Sequence, residues 1–166
     1  LAILLNPIRD INENVVGRNN TAYVSASNSA KEQSPSLSEL KFLLKNIDVA
    51  NVCEDRILSM GYSKRAEGVY ISDVLLARKK PNSWVHVNRF GKLSNVSFST
   101  ANKSSWDLIV AQLKKEASAK RFKPYENCSF ETYKYITGKY TFETWLPLKG
   151  VDLSLNNLYK VVIYNN

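Results

Sequence analysis

The sequence predicts an α+β domain, a mainly antiparallel sheet with helices packed on one face, built from duplicated αβββ units. Three observations predict it. Segments 36–61 and 104–120 carry apolar residues at helical spacing. Six other segments between residues 69 and 164 alternate with a period of two. Their order is helix, three strands, helix, three strands, which reads as two repeats at 48–100 and 104–166. One unit alone would expose an apolar sheet face. Two units joined edge to edge, with helices on one side, would bury it.

Residues 1–35 read as an N-terminal arm or linker. The stretch GRNNTAYVSASNSAKEQSPS (17–36) is small and polar and contains Pro35. Leu1 to Leu5 fit either the stub of a processed segment or a short strand, which leaves an exported or periplasmic origin open. The single α+β domain spans 36–166. Ser36 with Glu39 forms a capping box ahead of Leu40, Leu43, Leu44 and Ile47. Asp48 is placed to cap a second helix that ends at Gly61, unless the two are one kinked helix. Strands follow at 69–77, 83–90 and 93–100, with a turn at 90–92. In 104–120, Ser104 or Ser105 caps a helix whose apolar stripe is Trp106, Ile109, Val110 and Leu113. The second set of strands is 129–137, 140–148 and 158–164. Residues 137–139 turn the first pair, Pro147 demotes one strand end, and a loop with Asn156 and Asn157 leads to the last strand.

The 166 residues are 44% hydrophobic, enough for one core. This composition excludes collagen, coiled coil, a fully disordered chain and a disulfide-dense miniprotein. No stretch approaches the roughly 18 apolar residues of a membrane span. The net charge of +8 is uneven: residues 1–60 carry six basic and seven acidic side chains, residues 61–166 seventeen and eight. Sixteen of the aromatics also lie in 61–166, all but Tyr23 and Phe42. A basic, aromatic-rich segment suits polyanions or an acidic partner. Lysines that keep a sheet soluble and block its edges would give the same count.

Most familiar chemistries lack their residues. Phosphate-loop, dinucleotide and hydrolase-elbow glycine patterns do not occur. One His and two Cys without a CxxC do not make a zinc set. No cofactor, metal or catalytic residue is therefore expected. Cys53 and Cys128 fit one disulfide or two separate buried thiols equally well. His86 is the one standard acid or base for neutral pH. Alternation puts it with Trp84 and Asn88 on the outer face of a strand whose Val85 and Val87 face the core. A Cys–His couple with Cys53 or Cys128 is one use for it, and a half-exposed structural histidine is the plain alternative. Glu131 and Glu143 are placed to meet across the second hairpin, with Lys134 and Lys139 near enough to neutralise them.

The aromatic set of that hairpin carries the binding expectation. If Phe130, Ile136, Phe142 and Leu146 face the helices, then Tyr133, Tyr135 and Trp145 face outward. Large amphipathic rings on a rigid sheet anchor interfaces, although cross-strand pairing alone also explains such rings. The element order resembles that of small bacterial exported domains, with no motif of a named family and no functional residue to carry over. The expected function is a non-enzymatic protein-binding domain of inhibitor or immunity type. Its binding residues are Tyr133, Tyr135, Trp145, Trp84 and His86. Nucleic-acid binding through the aromatics with Arg78, Lys79, Lys80, Arg89 and Lys92 is the first alternative. A small enzyme using His86, Cys53 or a carboxylate pair is the second.

Overall fold

Ser36 opens the first helix, α1 (Leu37–Lys45), with the expected reciprocal cap. Its Oγ accepts from the Glu39 amide at 3.2 Å, and the Glu39 carboxylate accepts from the Ser36 amide at 2.9 Å. Leu37, Leu40, Leu43 and Leu44 form the buried stripe. A turn separates α1 from α2 (Ala50–Ser59), so there are two helices and not one kinked helix. The N-cap of α2 is Val49, not Asp48, and no side chain caps it. The third helix, α3 (Lys103–Glu116), is capped by Asn102, whose Oδ1 accepts from the Ser104 amide at 3.0 Å. This is two or three residues ahead of the expected cap, Ser104 or Ser105. The helix stops at Glu116 because Ala119–Phe122 is drawn into the sheet.

The computed structural model describes residues 34–72, 83–153 and 158–166, all within one compact unit, Lys31–Asn166. The expected arm (save Ser34 and Pro35), the strand end at 73–77, Arg78, Lys79, Lys80, Asn156 and Asn157 lie outside the described residues.

The strands are β1 (Tyr62–Ala66), β2 (Val69–Ser72), β3 (Ser83–Asn88), β4 (Asn95–Thr100), β5 (Ala119–Phe122), β6 (Phe130–Thr137), β7 (Tyr140–Pro147) and β8 (Tyr159–Asn165). They form one sheet in the order β1-β2-β3-β4-β8-β7-β6-β5, antiparallel at every pairing. The fold is thus α+β with an antiparallel sheet. Each half is a meander of four strands, not three, and the halves meet at the central β4–β8 pair. That symmetry is one of strand order and does not by itself make the halves duplicates. The two unforeseen strands, β1 and β5, are the edges. Only Tyr62 is buried in β1, and β5 (AKRF) is exposed apart from half-buried Phe122. An edge strand rich in Lys and Arg resists further pairing, and for the same reason it shows no apolar alternation.

The register sorts side chains into two faces. Directly opposed residues share a face. One chain of pairs runs Val87–Val96–Ile163–Phe142–Tyr135–Ala119, and another runs Tyr70–Val85–Phe98–Val161–Thr144–Tyr133. Their apolar members pack with the helix stripes in one core, where Leu40, Leu43, Leu113, Phe98 and Phe142 are fully buried. Each such side chain stabilises the fold by roughly 2 kcal/mol. All three helices contribute to this core, so they lie on the same side of the sheet. No described helix is long and apolar enough to cross a membrane.

Candidate functional site

The opposite face of the sheet carries no described helix, and its register builds a row of unlike side chains. Trp84 on β3 pairs with Ser99 on β4, Ser99 with Lys160 on β8, and Lys160 with Trp145 on β7. Three strand spacings put the two tryptophan backbones about 14 Å apart. Small Ser99 leaves depth between them. The result is a cavity of about 510 Å³ lined by Trp84, His86, Ser99, Tyr125, Phe130, Trp145, Leu158 and Lys160.

Aromatic contacts fix the walls. Phe130 and Phe122 meet the Trp145 ring edge-on, with centroids 5.6 and 6.3 Å away. Trp84 meets His86 in the same manner at 6.1 Å. Lys160 Nζ sits 5.7 Å from the Trp145 ring centre, in cation–π range. From the helix side, Trp106 Nε1 donates to the Lys160 carbonyl at 3.1 Å and ties the floor strand to α3.

The electrostatics of the cavity are one-sided. Burial lowers the Lys160 pKa, with Glu143 opposing the shift. Burial also lowers the His86 pKa, and repulsion from Lys160 adds to this. No ion pair with Lys160 occurs among the described residues. Glu143, one residue row away, is already engaged: it accepts from Tyr164 Oη at 2.8 Å and pairs with Lys134 at 3.3 Å. Trp145 Nε1 is buried without a hydrogen-bond partner.

Of the five expected binding residues, Trp84, His86 and Trp145 converge here. Tyr133 and Tyr135 do not: they lie on the helix side, Tyr135 only 1% exposed. The hairpin explains the correction. Its loop is the pair Gly138–Lys139, which sets Tyr135 opposite Phe142 and Tyr133 opposite Thr144. Rings opposite each other share a face, so inward Phe142 carries Tyr135 inward, while Phe130 and Ile136 turn outward. The two tyrosines instead line a second cavity of about 460 Å³, between α3 and strands β5 to β7.

The other chemical candidates disperse. Cys53 donates to the carbonyls of Leu43 and Asn46 at 3.4 and 3.2 Å, in the core on the far side of the sheet from His86. Its thiol pKa is raised by burial, against an opposing pull from Arg89. Cys128 lines a third cavity beside Phe122 and Phe130, and both cysteines are free thiols. Glu131 and Glu143 do not meet, because Glu131 pairs with Leu146 on the helix side and Glu143 with Lys134 on the other. Arg89 also faces the helices, donating from Nε to the Ile47 carbonyl at 2.6 Å. No three His, Cys, Asp or Glu side chains gather as a metal site among the described residues.

Sequence reasoning missed Lys160, Ser99, Tyr125, Leu158 and the outward turn of Phe130. Lys160 was the detectable one. It is the charged residue in an otherwise apolar and aromatic last strand, LYKVVIY. No family model, curated protein or solved structure matches the chain.

Proposed function

We propose that the chain is a non-enzymatic binding domain of inhibitor or immunity type, which docks a protein partner on the sheet face opposite the three described helices. The observation that carries this reading is the convergence of Trp84, His86 and Trp145 on one aromatic-walled cavity. Tryptophans half-exposed on a hydrogen-bonded sheet lose little conformational freedom when covered, and such residues dominate interface energies. Among the described residues, the lining holds an imidazole and an amine but no carboxylate or thiol to work with them. That favours recognition over catalysis.

Affinity capture with Trp84→Ala/Trp145→Ala tests it, with Leu108→Ala on the exposed flank of α3 as control. Each tryptophan is expected to contribute about 2 kcal/mol to binding. The double variant should lose the partner that wild type and control retain, with an unchanged circular dichroism spectrum. Equal recovery by all three proteins would remove the proposal.

A second reading has one observation in its favour. Lys120, Lys134 and Lys160 share the face opposite the described helices with its stacking rings, an arrangement that suits single-stranded nucleic acid. It requires binding that weakens steeply with salt, and no binding of an oligonucleotide at low salt would eliminate it.

A further inference from the structure

We infer that the cavity between Trp84 and Trp145 receives an acidic side chain of the protein partner, with its carboxylate set against Lys160 and the Trp145 indole N–H. This rests on the docking face proposed above and specifies what that face recognises. Two independent features converge on it. The Lys160 ammonium is half-buried in the middle of the sheet and has no counter-ion among the described residues. An unpaired charge in such surroundings is costly, and an incoming anion relieves that cost. The Trp145 N–H is a buried donor without an acceptor, and a donor in that state favours a ligand that supplies one.

The remaining groups fit the same occupant. Glu143, the neighbouring carboxylate, is held by Tyr164 and Lys134 and leaves the ammonium unpaired. His86 lines the same cavity and can turn a ring N–H donor towards an anion. The walls are indole and phenyl rings, which suit the methylene stem of a glutamate or the apolar residues flanking it. A protein surface that offers acidic residues also complements the net charge of +8.

The test compares two terminally blocked peptides, Gly-Leu-Glu-Leu-Gly and Gly-Leu-Gln-Leu-Gly, which differ by one ionisable group. Binding is followed by tryptophan fluorescence and by the resonances of the sole histidine. The glutamate peptide should bind about tenfold more tightly and shift the His86 signals. Lys160→Met should bring the two affinities together, and Lys160→Arg should keep them apart. The wild-type comparison stands even if a variant fails to fold. Equal affinities in wild type would overturn the carboxylate assignment and leave the docking groove standing. A preference that survives in Lys160→Met would overturn the role of Lys160. No binding of either peptide at millimolar concentration would count against both inferences. Binding of oligothymidylate in their place would overturn the acidic partner in favour of nucleic acid.

Discussion

His86 owes its chemistry to position. On a free strand it would titrate near 6.5, but partial burial and the nearby Lys160 hold its pKa lower. The unfolded chain therefore binds a proton that the native chain resists. Stability falls as the pH drops from the free-imidazole value through the native one. Urea unfolding between pH 7 and about 5 should show a downward slope on acidification that His86→Gln removes. Superimposable wild-type and variant profiles would contradict this account of the site. The outward placement of His86 was legible in the alternation of SWVHVN, because Val85 and Val87 point inward. Its ammonium neighbour was not. Lys160 joins His86 through the pairing of β8 with β4, and strand order across a sheet is a long-range property that no local pattern encodes.

At the scale of elements, turns decide which rings are exposed. The Gly138–Lys139 loop pairs Thr137 with Tyr140 and thereby fixes every later pair in the hairpin. A register that differs by one residue exchanges the faces of a whole strand. Both strands of the hairpin were legible as alternating segments. The assignment of Tyr135 and Phe142 to opposite faces failed because it treated each strand alone. The β1–β2 turn makes a stricter demand. Gly68 has φ +67°, its carbonyl accepts from the Val87 amide at 2.8 Å, and an added Cβ would lie 2.4 Å from the Val87 carbonyl oxygen. Gly68→Ala should destabilise the fold by about 3 kcal/mol through strain and backbone collision together. Gly138 also has positive φ but open space around it, so Gly138→Ala should cost about 1 kcal/mol. Equal losses in chemical denaturation would refute the collision at Gly68. The Ser36 cap offers a plainer check, with Ser36→Ala expected to cost about 1 kcal/mol. Capping box, amphipathic stripe and central strands could be read locally. The edges could not, because β1 and β5 owe their structure to backbone pairing while most of their side chains remain in water.

At the scale of the whole sheet, the three described helices lie on one side, and the two faces differ in character. One face holds the core under α1, α2 and α3. The other displays two tryptophans, an imidazole and an ammonium around a cavity. The central claim is that this second face is where a partner docks. Hydroxyl-radical footprinting of the chain, free and bound to the partner it captures, addresses that claim most directly, because the three tryptophans divide between the faces. Trp84 and Trp145 should become protected in the complex, while Trp106, buried under α3, stays unchanged. Protection of Phe42 or Leu108 on the outer surfaces of the helices, with Trp84 and Trp145 still reactive, would contradict it.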